Sequence, residues 1–177
     1  MVPKLEKGLV EVYTGNGKGK TTAAFGLALR AIGRGLRVCM IQFIKGGFDY
    51  GELYVIDRLP DFKLKAYGRG KFVDANKPDK TDIDLAEEAL KTAEKALTDG
   101  ECDIIILDEV NVALDLKLIK TENVLDLIKK KPAQKELVLT GRNAPSEIVE
   151  AADLVTEMVE VKHPYSKGFH ARKGIEY

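Results

Sequence analysis

The sequence contains no tryptophan, only two cysteines and no net charge, since 28 basic residues balance 28 acidic ones over 177 positions. Two cysteines are too few for a disulfide scaffold, so Cys39 and Cys102, in or beside apolar runs, are predicted to be buried free thiols. A zero charge balance gives no global attraction to nucleic acid or to an anionic membrane. No apolar run reaches the roughly 20 residues that span a bilayer. We therefore expect neither nucleic acid nor a membrane as a partner.

The remaining bulk properties indicate an ordinary globular protein. The segment 1–7 (MVPKLEK) lacks the apolar core of a secretory signal peptide, which together with the few cysteines predicts a cytoplasmic location. The chain is 45% hydrophobic and 32% charged, a balance that excludes a disordered or fibrous protein. Its length predicts one domain over residues 1–177.

Short apolar runs alternate with longer amphipathic segments along the chain. The helix that opens at Thr81, with Asp84 three residues later in a capping-box-like arrangement, ends at Gly100. Apolar strands separated by helices predict an α/β fold with a mostly parallel sheet covered by helices on both faces. In such sheets the ligand site lies at the carboxyl ends of the strands. The predicted strands are 9–13, 36–43, 62–67, 103–107, 136–140 and 154–161, and the other helices are 21–34 and 121–130.

A glycine-rich loop separates the first strand from the first helix. Its Gly19-Lys20-Thr21 ending fits the P-loop pattern, although Thr14 holds the position of that pattern's first glycine. Glycines let backbone amides surround an anion, and the helix directs its positive end to the same place. A plain connecting turn would not require Gly-Lys-Thr-Thr in this register, so we predict nucleotide phosphate binding in a P-loop NTPase-like (RecA-like) fold. The loop residues are Thr14, Gly15, Asn16, Gly17, Lys18, Gly19, Lys20, Thr21 and Thr22.

Polar residues follow three other strands. Asp108 and Glu109 end the most apolar strand, and a Mg²⁺ ion commonly takes one or two carboxylates together with phosphate oxygens. Since neighbouring strand residues face opposite ways, only one of the two is expected to point at a given metal. The segment 142–143 (Arg142 and Asn143) is placed to reach phosphate or ribose, or else forms a helix-entry turn. Gln42 and Lys45 come at the end of the second strand, and they too either contact the ligand or belong to a connecting turn.

Five segments, in this order, resemble the ATP:corrinoid adenosyltransferases, the P-loop family that makes adenosylcobalamin. The resemblance runs nearly from end to end of the chain. The segments are TGNGKGKTTAAFG (14–26), RGLRVCMIQFIKG (34–46), ILDEVN (106–111), LTGRNAP (139–145) and KHPY…KGIEY (162–177).

The resemblance implies that ATP and a reduced corrinoid are the substrates. In this family cob(I)alamin attacks the ribose 5′-carbon and triphosphate leaves, so the protein needs no side-chain nucleophile. Lys20, Thr21 and Glu109 are then the catalytic residues, with Thr21 and Asp108 or Glu109, preferably Glu109, holding Mg²⁺. The resemblance also implies a flavoprotein reductase as electron donor and a homodimer. The loop, Arg142 and Asn143 are carried over as ATP-binding residues.

The basic segment 63–80 is predicted to face the corrinoid. Relatives place aromatic residues soon after the Gly-x-Gly that is matched here by Gly68-Arg69-Gly70, where they displace the lower cobalt ligand. Phe72 is the aromatic residue available at this place and is assigned to corrinoid binding. The alternative is a solvated basic loop.

Two rival functions remain at this stage. The glycine-rich loop and the acidic strand end alone are also typical of a generic P-loop ATPase or phosphotransferase. The small number of aromatic residues near Phe72 also suits a non-enzymatic, nucleotide-gated corrinoid carrier.

Overall fold

The computed structural model describes residues 5–177, which form a six-stranded sheet flanked by helices. The strand order is β3-β2-β4-β5-β1-β6, and every neighbouring pair is parallel. The predicted α/β fold with a parallel sheet is therefore confirmed. The strands are β1 (Val10–Thr14), β2 (Val38–Gln42), β3 (Phe62–Ala66), β4 (Ile104–Asp108), β5 (Glu136–Thr140) and β6 (Leu154–Glu157).

Helices cover both faces of the sheet, as predicted. They are α1 (Lys20–Ile32), α2 (Lys80–Thr98), α3 (Val110–Asp115), α4 (Thr121–Lys130) and α5 (Ser146–Ala151). Along β2, Val38 and Met40 pack in the apolar layer of α1, while Cys39 and Ile41 pack in the layer that contains α2, α3, α4 and α5. The alternation of strand side chains thus divides the apolar residues into two layers.

The central strands β2 and β4 are apolar up to their last residues, Gln42 and Asp108, as expected of strands that helices bury from both sides. All five residues of β2 and all five of β4 are buried. The strand β6 lies at the sheet edge and its four residues are exposed. It ends at Glu157 and not at residue 161 as predicted, because its one neighbour, β1, ends at Thr14, which pairs with Glu157.

Two short helices were not predicted, and one helix cap was assigned wrongly. α3 and α5 have six residues each, too few for a helical repeat of apolar residues to be visible. The helix α2 begins at Lys80, and its N-cap is Asp79, whose side chain accepts from the backbone N–H of Thr81. The predicted Thr81 capping box is therefore wrong.

The cysteine prediction is half right. Cys39 and Cys102 are both buried, as expected, but the structure joins them in a disulfide across a Cα–Cα distance of 5.8 Å, so they are not free thiols. Over residues 5–177, no helix is long and apolar enough to cross a membrane. Residues 1–4, on which part of the signal-peptide prediction rests, lie outside the described residues.

Candidate active site

The glycine-rich loop folds around the ammonium group of Lys20. This group donates to the carbonyl oxygens of Gly15 (2.7 Å) and Gly17 (2.8 Å), and Lys20 is buried. Burial is the main cause that lowers the pKa of Lys20. The chain turns into α1 at Gly19, where φ is 123°, a conformation that strains any residue with a Cβ. The loop therefore holds its lysine at the start of α1, as the motif predicts.

Met158, the residue that follows the edge strand β6, holds this loop through two backbone hydrogen bonds. The N–H of Gly17 donates to the carbonyl of Met158 (2.6 Å), and the N–H of Met158 donates to the carbonyl of Thr14 (2.9 Å). A Cβ on Gly17 would lie 2.7 Å from the Met158 oxygen, so only glycine permits this approach.

The carboxylate of Asp108 lies at the centre of a buried hydrogen-bond network at the end of β4. One oxygen accepts from the hydroxyls of Thr21 (2.9 Å) and Thr140 (2.7 Å). The other accepts from Lys45 (2.8 Å) and Gln42 (3.1 Å). Asp108 is fully buried, so α1 and strands β2, β4 and β5 are tied together at their carboxyl ends through one side chain.

Glu109 turns toward the same point as Asp108. The strand ends at Asp108, and Glu109 adopts a left-handed backbone conformation with φ at 61°. Its carboxylate lies 3.8 Å from the Lys45 ammonium group, which is 2.8 Å from Asp108. The expectation that the two carboxylates face opposite ways is therefore wrong, because strand alternation stops at this residue.

Burial and charge oppose each other in this cluster. Burial raises the pKa of Glu109 above its ordinary value, and the nearby Lys45 only partly offsets this. Burial alone would lower the pKa of Lys45, but the charges of Asp108 and Glu109 outweigh it and raise that pKa. Lys45 therefore stays an ammonium ion among carboxylates.

Thr21, Asp108 and Glu109 present oxygen atoms that suit a hard cation. The three converge on the Lys45 ammonium, which shows that the arrangement accommodates a positive charge. Residues 5–177 contain no group of three or more His, Cys, Asp or Glu side chains that could hold a metal by themselves.

A cavity of about 720 Å³ opens over the carboxyl ends of the strands. It is lined by the predicted residues Asn16, Gly17, Lys18, Gly19, Lys20, Thr21, Thr22, Lys45, Phe72, Glu109 and Arg142. The other predicted residues lie outside its lining. Thr14 and Gly15 begin the loop, Asp108 accepts from the hydroxyl of Thr21, and Asn143 donates to Asp115 (2.8 Å) at the surface. Thr14 accepts from the N–H of Ala144 (3.2 Å), so its side chain joins the loop to the segment after β5.

Three aromatic rings lie at the outer part of this cavity. Phe48 stands 5.9 Å from Phe72 and 5.7 Å from Tyr50, measured between ring centroids. Phe72 is 93% exposed to solvent. Only Phe72 was assigned from the sequence, because Phe48 and Tyr50 follow the Gly46-Gly47 turn and match no motif. The signal that could have found them is the pair of aromatic residues in the loop that follows β2.

The segment Gly174–Tyr177 lies along another side of the cavity. Lys18 donates to the Ile175 carbonyl (3.0 Å) and pairs with Glu176 (2.9 Å). Arg172 also pairs with Glu176, and the two cations lower the pKa of that carboxyl to about 2. The Lys18 side chain therefore points to this segment, whereas the Lys20 side chain points into the loop.

Thr140 is the buried residue that sequence reasoning missed. Its hydroxyl donates to Asp108 and accepts from the Glu109 N–H at 3.0 Å. The residue is the last of an apolar strand and lies in the segment LTGRNAP (139–145), but no role was assigned to it, and its signal was a polar residue at the carboxyl end of a buried strand.

Comparison with known proteins gives one consistent result. The family model described as ATP:corrinoid adenosyltransferase BtuR/CobO/CobP matches residues 6–177. A corrinoid adenosyltransferase of Pseudomonas aeruginosa is 40% identical over 173 residues, which cover 97% of this chain and 85% of that protein. Proteins of the same name from Sinorhizobium sp and Escherichia coli (strain K12) are 39% and 36% identical, each over 97% of this chain and over 81% and 87% of their own lengths.

Proposed function

Since this chain belongs to the ATP:corrinoid adenosyltransferase family, we propose that it transfers the 5′-deoxyadenosyl group of ATP to the cobalt of a reduced corrinoid. In this reaction the cob(I) electron pair forms a bond to the ribose 5′-carbon. The bond between that carbon and the triphosphate oxygen breaks, and triphosphate leaves with the bonding electrons. The observation that carries the proposal is one cavity that joins a glycine-rich loop to an aromatic outer part.

The inner part of the cavity suits triphosphate. Lys20 at the helix start and Arg142 opposite it supply positive charge, and the loop amides supply further donors. Thr21, Asp108 and Glu109 would hold Mg²⁺, which neutralises phosphate charge when bound. Since triphosphate departs as a highly charged anion, these groups stabilise the charge that develops in the transition state.

The lining also suits a reaction in which cobalt is the nucleophile. Among the described residues that surround the cavity there is no serine and no cysteine. The two substrates need only be held in line, and such positioning can supply several kcal/mol, roughly 7–11 in the most favourable cases. The exposed ring of Phe72 and the half-buried rings of Phe48 and Tyr50 offer an apolar surface for the corrinoid.

The proposed activity implies further partners. An electron donor must supply cob(I), so we expect a flavoprotein reductase in the cell. The family resemblance also implies a homodimer, and we expect a cytoplasmic location.

The test is a product analysis under reducing conditions. Protein, MgATP and chemically reduced cobalamin should give adenosylcobalamin and triphosphate in equal amounts, followed by cob(I) absorbance and anion chromatography. A generic ATPase or phosphotransferase would instead release ADP and phosphate, or AMP and pyrophosphate, without consuming cob(I). Tight corrinoid binding without turnover would indicate a carrier. Either result would reject the proposed transfer.

A further inference from the structure

The Lys45 ammonium group occupies the point where the site's oxygen atoms meet. It lies 2.8 Å from Asp108, 3.1 Å from the Thr21 hydroxyl and 3.8 Å from Glu109. Its side chain is only 12% exposed. Ile44 before it has φ at 54°, a strained value for a β-branched residue, which directs the chain sharply at this point. Lys45 is thus built into the cluster.

With Lys45 in place, Asp108 has no acceptor capacity to spare. A carboxylate offers about four lone-pair sites. The four donors Thr21, Thr140, Gln42 and Lys45 fill them. An incoming cation must therefore displace one donor. Gln42 and Thr140 are fully buried within strands, whereas Lys45 follows the end of β2 on a long side chain that borders the cavity.

We propose that Lys45 is the resident cation of the Thr21–Asp108–Glu109 oxygens, and that a divalent metal displaces its ammonium group into the cavity, where it contacts phosphate oxygens. Two cations at one point repel strongly in a buried site, so metal and ammonium exclude each other. The displaced ammonium joins Lys20 and Arg142, which line the same cavity. The exchange keeps Asp108 and Glu109 paired before the metal arrives and adds a phosphate contact after it. Only the phosphate contact rests on the proposed function.

The first test labels lysines in the wild-type protein. An amine-acetylating reagent is applied with and without millimolar Mg²⁺, and the modification of each lysine is measured by mass spectrometry. We expect Mg²⁺ alone to increase the labelling rate of Lys45 by about fivefold or more, because the displaced amine leaves its buried partners and becomes accessible to the reagent in the cavity. Lys71, which also lines the cavity but is exposed, is the internal control and should not change.

The second test uses two matched variants, Lys45→Met and Lys71→Met, without nucleotide. Mn²⁺ binding is followed by electron paramagnetic resonance, with circular dichroism to verify folding. Because Lys45→Met removes the competing charge, it should bind Mn²⁺ about tenfold more tightly than wild type. Lys71→Met removes the same charge from the same cavity without freeing the oxygens, so its gain should be small.

A third measurement follows the ammonium group to its destination. In the presence of Mg²⁺, inorganic triphosphate should bind Lys45→Met about tenfold more weakly than wild type. Unchanged Lys45 labelling, Mn²⁺ affinity equal in the two variants, or unchanged triphosphate affinity would each overturn the proposal. None of these measurements contains a corrinoid, so a failure here is distinct from a failure of adenosyl transfer.

Discussion

Carboxylates cluster at both ends of the sheet, but their neighbours differ. At the carboxyl end, Asp108 and Glu109 face the ammonium group of Lys45 beside an open cavity. Near the amino end, Glu11 and Glu136 lie on the neighbouring strands β1 and β5 and interact with each other. Burial, with the contact to Glu11 as a further cause, raises the pKa of Glu136 to about 7.

This difference separates a site from a structural detail of the fold. Acidic residues that converge with cations and hydroxyls on an open cavity can bind a charged ligand, whereas a pair of carboxylates without a strong counter-charge mainly makes stability depend on pH. Substitutions at the carboxyl end should therefore change activity, and substitutions at the amino end should change stability alone.

The largest expected effect is that of Lys20→Ala. We expect kcat for adenosylcobalamin formation to fall by about 10²-fold to 10³-fold, or about 2.7–4 kcal/mol, because a charge that stabilises the leaving triphosphate is lost. The control is Lys18→Ala in the same loop. Its ammonium group points to Glu176, so its effect should stay below about tenfold. Equal losses in both variants would mean that the loop acts only through its overall charge.

The next effect concerns Thr140→Val, which keeps the side-chain shape but removes the hydroxyl. This leaves the Glu109 N–H without its partner and takes one donor from buried Asp108, so the free energy of unfolding should fall by about 1–3 kcal/mol. Urea denaturation of the variant and of wild type measures this difference in the free energy of unfolding. Thr98→Val, at an exposed helix end, should change stability by less than about 0.5 kcal/mol. MgATP affinity should fall in the first variant only.

The architecture and the inner part of the site were predictable because each leaves a local pattern. Apolar runs mark the six strands, and Gly19-Lys20-Thr21 marks the loop that the structure folds around Lys20. Both signals depend on residues that are adjacent in the sequence.

The rest of the site depends on contacts between distant segments. Thr140 reaches Asp108 across 32 positions, and Lys45 reaches it across 63. The sequence placed polar residues at several strand ends but could not say which of them meet. The expectation that only one of Asp108 and Glu109 points at a metal rested on strand alternation, and nothing in the sequence signals that a single left-handed residue, Glu109, interrupts that alternation.

Phe72→Ala tests whether the carboxyl end extends outward to its aromatic rings. Because Phe72 is 93% exposed, its loss should leave the free energy of unfolding unchanged within about 0.5 kcal/mol. Corrinoid affinity should fall by about fivefold to tenfold, the loss of one aromatic contact, with ATP affinity unchanged. Phe169→Ala, an exposed aromatic residue outside the cavity lining, is the control. If ATP affinity falls first, the corrinoid surface lies elsewhere.

The smallest expected effect lies at the amino end, in Glu136→Gln. The folded-state pKa of Glu136 is about 7 against an ordinary 4.5, so the folded protein binds the extra proton between these values. Stability from this group is complete below about pH 4.5 and is lost as pH rises to about 7. The neutral glutamine avoids that loss and still offers an oxygen to the Leu9 N–H.

Denaturation curves of wild type and Glu136→Gln should therefore diverge across this pH range. Since the carboxyl is half exposed, solvent screening reduces the difference to about 1 kcal/mol at pH 8, in favour of the variant. Glu150→Gln on the exposed side of α5 controls for the change in net charge. Adenosyl transfer should be the same in all three proteins. A loss of activity in Glu136→Gln alone would show that the two ends of the sheet are coupled, and the separation between site and scaffold drawn above would fail.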